Sequence, residues 1–168
     1  MNSALLAVRL IVGLGLAAHG AQKLFGWFGG YGLKGTGGWL ESLGFRPGQT
    51  FALLAGLGEF VGGSLVALGL GGPIGPGLMI SVLVVAILTV HIKNGFFVTA
   101  NGFELPLLYI SIGVLFAMIG YGAYSLDRAF GLMGLTTVRH ARIAIAAGMV
   151  AGLLAVSARR APPAQPPA

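Results

Sequence analysis

Thr50-Phe-Ala-Leu-Leu-Ala-Gly-Leu-Gly-Glu59-Phe-Val-Gly-Gly-Ser-Leu-Val-Ala-Leu-Gly-Leu70 is a run of apolar and small residues broken by one carboxylate. About 20 apolar residues in a helix cross the roughly 30 Å of bilayer hydrocarbon, and this stretch has that length. The rest of the chain excludes the alternative, a core helix of a soluble domain. Of its 168 residues 56% are hydrophobic and only 8% charged, where a soluble domain carries about a quarter charged.

Four further stretches fit the same template: residues 4–25, 76–93, 105–124 and 142–158, the last being the shortest. The predicted fold class is therefore all-α, a polytopic membrane helix bundle with four core transmembrane helices plus a fifth. Residues 1–131 form the four-helix domain and 132–160 an extra C-terminal transmembrane helix. Residues 161–168, Ala-Pro-Pro-Ala-Gln-Pro-Pro-Ala, read as a disordered tail. Met1-Asn2-Ser3 lacks the positive region of a signal peptide and Arg9 interrupts the apolar run, so the first span reads as retained.

Composition removes several function classes. Cysteine is absent, which excludes disulfides, thiol redox chemistry and Cys-ligated clusters. The net charge is +6, but the basic residues are scattered singly among apolar spans. No basic patch interleaved with aromatics exists, so the expected partner is the lipid bilayer and not nucleic acid.

The longest connection, residues 26–49, is rich in glycine and carries Trp27, Phe28, Tyr31, Trp39 and Phe45. Trp and Tyr favour the headgroup level, which places this loop along the interface, with a short amphipathic turn over 38–43 or a role as a lid. Pro76 and Pro106 suit first helical turns, where a missing N–H costs nothing. Gly58/Gly62 and Gly148/Gly152 stand at GxxxG spacing, which lets helices approach closely within the chain or between copies.

Alternation of the spans sorts the ionisable residues by membrane face. The end of span 1, start of span 2, end of span 3 and start of span 4 share one face, called face B. His19, Gln22 and Lys23 form one helical stripe near it, Glu59 lies below it, and His91, Lys93 and Glu104 flank it. Asn94 and Asn101 lie in the same region. Face A holds Arg9 and Asp127, which are expected to form a structural ion pair. A charge in hydrocarbon costs roughly 2.5–3.5 kcal/mol even on lenient scales, so Glu59 must be protonated or paired, and Lys23 and His19 are its expected partners. The bland readings are that Lys23 and Lys93 snorkel to the headgroups and that Glu59–Lys23 only holds helices together.

No Gly-x-Ser-x-Gly elbow is present and the only aspartate belongs to the other face, so nucleophilic hydrolysis is not expected. His19, His91 and Glu59 make a two-His-one-carboxylate set, but not at a recognised metal spacing, and no metal is expected. Haem ligation by His19 and His91 has no distinguishing signal. A quinone fits better: it partitions into lipid, its carbonyls need donors such as His, Lys or Gln, and its reduction consumes protons that Glu59 and His91 can relay. Glu59 and His91 are thus the candidate catalytic pair, and His19, Gln22, Lys23, Lys93 and Glu104 the candidate ligand-binding residues.

Arg9, His19-Gly20 with Lys23, Gly58-Glu59 with Gly62-Gly63, His91, Asn94-Gly95-Phe96, Gly102 with Glu104, and Tyr124-Ser125-Leu126-Asp127 resemble the DoxX family, in the DoxX/DoxD-like superfamily. The resemblance covers about residues 3–131. It implies a four-helix protein of the bacterial inner membrane with polar positions at His19, Lys23, Glu59, His91 and Glu104. It also implies work on or beside quinones, as in relatives that serve thiosulfate:quinone oxidation, or a membrane partner that gathers soluble thiol and superoxide-detoxifying enzymes. Three functions follow as expectations: a quinone-linked redox subunit, a non-catalytic adaptor for soluble redox enzymes, and a small-molecule transporter. The chain departs from the four-span pattern after about residue 131, and a fifth span would put its C-terminus on face B. Basic residues outside the spans divide nearly evenly, Lys34, Arg46, Arg159 and Arg160 on face B against Arg128, Arg139 and Arg142 on face A.

Overall fold

A computed structural model describes residues 1–160; the tail expected at 161–168 lies outside the described residues. The described chain is all-helical. The main helices are α1 (Asn2–Phe25), α2 (Gly32–Ser42), α3 (Gly48–Leu68), α4 (Ile74–Ala86), α5 (Glu104–Ile119), α6 (Leu126–Ala129) and α7 (Val138–Ser157). A π turn (Ile87–His91) and a 3-10 turn (Ile92–Asn94) extend α4. Four helices are long and apolar enough to cross a membrane: Asn2–Phe25, Gly48–Leu68, Ile74–Asn94 and Val138–Ser157.

α1 and α3 form the central pair. On α1 the seam runs through Arg9, Gly13, Leu16, Gly20 and Lys23; on α3 through Ala52, Gly56, Glu59, Gly63 and Val66. Steps of four and three are the coiled-coil repeat that keeps one stripe facing a partner. Small residues fill half of these positions. A Cβ on Gly13 would overlap the backbone of Ala67, one on Gly20 that of Phe60, and one on Gly63 that of Ala17. With lipid offering no hydrophobic drive between helices, such close approach is what holds spans together.

α4 packs on the other side of α3, where Gly58 meets Val82 and Gly62 meets Leu78. α7 lies against α4, with Gly148 on the Gly77 carbonyl and Gly152 on that of Ser81 and on Val84. Both GxxxG pairs are therefore used within the chain.

Three expectations change. The connection 26–49 holds an eleven-residue helix, α2, where a short turn over 38–43 was expected. Its four glycines weaken it as an isolated helix, but Thr36, Gly37 and Leu40 are buried, and Leu40 joins Phe45 and Ala52 in a local core. The fourth span, expected over 105–124, is a 16-residue helix. It measures about 24 Å at 1.5 Å per residue and stops at Gly120, whose φ of 76° suits glycine. The fifth, expected to be the shortest, is a 20-residue helix that Thr137 caps through the His140 N–H. It crosses the whole bundle: Leu135, just before it, touches Gly72 on face A, and at its far end Arg160 N–H donates to the Gly44 carbonyl (2.8 Å) on face B. Arg159 donates to the Leu43 carbonyl and stacks over Phe45. The C-terminal end of α7 is thus on face B, as a fifth span requires.

The α1–α3 contact predicts opposite outcomes for two glycine substitutions. Gly20→Leu should cost at least about 3 kcal/mol through overpacking and remove most folded protein from detergent extracts. Gly38→Ala, in α2 with no atom within 4 Å of its would-be Cβ, should gain about 0.5–1 kcal/mol. Thermal unfolding in detergent reads both.

Candidate functional site

The seam that joins α1 to α3 also places Lys23 beside Glu59. In a helix each Cα–Cβ bond tilts toward the N-terminus. α1 ends and α3 begins at face B, so Lys23 leans down into the membrane and Glu59 leans up toward it. Lys23 Nζ donates to Glu59 Oε2 at 2.6 Å, the only salt bridge among the described residues. Glu59 lies eleven residues into α3, about 16 Å along its axis, and is buried; the Lys23 side chain is about a quarter exposed (24%). Lys23 therefore does not snorkel outward.

Above the pair, the end of α1, residues 29–31 and α2 enclose a cavity of about 500 Å³ lined by Gln22, Lys23, Gly30, Tyr31, Thr36 and Trp39. Lys23 spans its inner wall, with Glu59 behind. Thr36 is buried, while Tyr31 and Trp39 are exposed at the rim. Two lines of hydrogen bonds hold the wall: His19 Nδ1–H donates to Gln22 Oε1 (3.2 Å), and Gln22 Nε2 donates to the Phe28 carbonyl (3.2 Å). A Cβ on Gly30 would overlap the Gln22 backbone, so the loop lies directly against α1. Tyr31, Thr36 and Trp39 were not singled out as ligands from the sequence. The available signal was the aromatic, glycine-rich character of residues 26–49, but only the α2 helix shows which of them border the cavity.

The expected site residues divide into two groups. Gln22 and Lys23 line this cavity, Glu59 stands behind it through Lys23, and His19 is held beside it through Gln22. His91 does not partner Glu59. The π turn carries it to the α4–α5 connection, where its Nδ1–H donates to the Asn101 carbonyl at 2.8 Å. Asn94 Nδ2 donates to the same carbonyl at 3.1 Å. Glu104 accepts from Val98 N–H at 2.9 Å and so closes the 95–103 loop. Lys93 is exposed on the 3-10 turn that precedes that loop. Among the described residues no group of three or more His, Asp or Glu side chains converges, so the set of His19, His91 and Glu59 is not assembled.

The expected Arg9–Asp127 ion pair is not formed either. Arg9 is buried and donates to three backbone carbonyls: Ala67 (3.1 Å), Tyr121 (3.2 Å) and Tyr124. Asp127 accepts from the Gly71 and Gly72 N–H groups, each at 2.8 Å. Tyr121 O–H donates to the Gly72 carbonyl at 2.8 Å. Helices α3 and α5 both end in this region, and their free backbone groups have no water to turn to. The two charges satisfy backbone, one the carbonyls and the other the amides, within one face-A network.

Fold and site together define a multi-pass membrane protein with a charged pair buried beneath an interfacial cavity. The chain belongs to the DoxX family: the DoxX family model matches residues 4–92, more than half of the sequence. That match takes in α1 to the end of α4 and so includes His19, Lys23, Glu59 and His91; the motifs from Asn94 to Asp127 lie beyond it. Neither the curated proteins nor the solved structures offer a match.

The pair predicts a double-mutant cycle. Glu59→Leu leaves Lys23 without its partner and should cost about 3 kcal/mol, discounted because Lys23 reaches solvent. Lys23→Met with Glu59→Leu should recover most of that loss. If the two single losses simply added in the double variant, thermal unfolding would show the pair to be energetically uncoupled.

Proposed function

We propose that the protein is a quinone-linked membrane subunit, and that a quinone-type ligand enters the α1–α2 cavity from the bilayer. The single observation that carries this reading is Lys23 on the lining of that cavity, held from behind by its ion pair with Glu59. The fit is chemical as well as spatial. A volume of about 500 Å³ is within the usual range for small-molecule pockets, which combine apolar walls with a few convergent polar groups. Trp39 and Tyr31 offer ring faces. The Lys23 ammonium, the Gln22 amide and the Thr36 hydroxyl are donors of the kind a carbonyl oxygen needs.

A bound quinone supplies reversible carbonyl–hydroxyl redox chemistry that consumes and releases protons. The chain's part is to bind and to hold charge. Lys23 presents N–H donors to one oxygen, and the Glu59 carboxylate holds the Lys23 Nζ in place through their 2.6 Å hydrogen bond. His91 has no part in this version of the site. In keeping with the family, the membrane is proposed to be the bacterial inner membrane.

The adaptor reading draws on one observation, the exposed Trp27, Phe28 and Tyr31 beside the cavity. Membrane-interface anchoring accounts for the same residues, so the ligand site is the preferred conclusion.

The test is binding of a short-chain quinone to purified protein, followed by quenching of Trp39 fluorescence in a Trp27→Phe background. Wild type should bind at micromolar concentrations. Lys23→Gln should weaken binding about tenfold, the equivalent of one charge-assisted hydrogen bond, and His91→Ala should leave it unchanged. Equal affinity in wild type and Lys23→Gln, or no quinone recovered by solvent extraction and mass spectrometry, would sink the proposal. Partner proteins that co-purify with Glu59→Ala but not after deletion of residues 27–31 would favour the adaptor.

A further inference from the structure

We infer a second binding site on the opposite face, for one anionic phospholipid in the groove between α4 and α7. The groove has a volume of about 510 Å³. Its floor is made of small residues, among them Gly77 on α4 and Ala144, Gly148 and Ala151 on α7, and its walls include Leu78 and Ile143. Apart from Ser81 it is apolar along its length, and at one end His140 lines it beside Leu135. His140 Nδ1–H donates to the Leu135 carbonyl at 3.1 Å, which leaves Nε2 directed away from that bond.

Charge complementarity identifies the occupant. Arg128, Arg139 and Arg142 are exposed on face A, and none forms a salt bridge among the described residues. The chain has only four acidic residues. Glu41, Glu59 and Glu104 are engaged on the face-B side by Gly48, Lys23 and Val98. Asp127, the acidic residue of face A, is buried on the Gly71 and Gly72 amides. The α7 first turn holds no acidic residue, although the positive end of the helix dipole favours one; it carries Arg139 and His140 instead, with Arg142 opening the next turn. The missing anions must come from outside the chain. In a groove within a spanning segment, the molecule that joins an apolar tail to an anion is a phospholipid. Its acyl chain lies along Gly77, Ala144 and Gly148. Its phosphate meets His140 and Arg139, one turn ahead of the groove residue Ile143, while Arg142 and Arg128 add to the local field.

Native mass spectrometry and thermal unfolding of the full chain in neutral detergent test this, with phosphatidylglycerol and phosphatidylcholine of identical chains as probes. Wild type should retain one phosphatidylglycerol and unfold at a higher temperature with it than with phosphatidylcholine. Arg139→Gln with Arg142→Gln should weaken phosphatidylglycerol binding at least about tenfold yet leave the response to phosphatidylcholine unchanged. Ala147→Phe, which fills the groove from an exposed position, should abolish retention of the lipid. Arg46→Gln, on face B, should behave as wild type. Equal stabilisation by the two lipids, stabilisation by inorganic phosphate alone, or full retention in Ala147→Phe would each overturn the inference.

Discussion

The fold rests on the α1–α3 seam. Two antiparallel helices bring their backbones together because Gly13, Ala17 and Gly20 face Gly56, Gly63 and Ala67. The same repeat that selects these small residues also selects Arg9, Lys23 and Glu59, which occupy the seam and not the lipid face. A side chain buried by the helical period cannot escape to the headgroups without breaking that contact. Lys23 and Glu59 therefore answer each other, and Arg9 answers whatever backbone reaches it.

At face A the constraint is hydrogen bonding. α5 ends after 16 residues, and the chain from Gly120 to Ser125 continues toward face A without helical bonds. Arg9 and Asp127 make that possible by taking up carbonyls and amides that lipid would leave unsatisfied. At face B the constraint is cover. α2 lies over the first turns of α3, and Arg159 and Arg160 at the end of α7 fasten the following connection. A helix outside the family-matched segment thereby helps to hold the cavity's outer wall.

The candidate site was legible in part. Lys23 and Glu59 stood out because charge in an apolar run is costly, and their pairing follows from helix alternation and side-chain tilt. Grouping His91 and Glu104 with them assumed that residues on one face share one site. Alternation assigns a depth but no lateral position; the π turn and the 95–103 loop carry His91 and Glu104 to a hydrogen-bonded loop of their own. The Arg9–Asp127 pairing erred for a related reason. Opposite charges at one depth suggest a pair, but nearby backbone competed for both and won.

The sequence by itself determined that this is a multi-pass helical membrane protein, where its spans lie to within several residues, and which side chains are too expensive to be incidental. These are properties of single segments: length, hydropathy and period. The tertiary structure alone decided that α5 ends after 16 residues, that α7 runs the length of the bundle, that α2 is a helix and that a cavity opens over Lys23. Each depends on packing between segments distant in the chain. A glycine-rich stretch such as residues 32–42 becomes a helix when α3 buries one side of it, and no local preference records that contact.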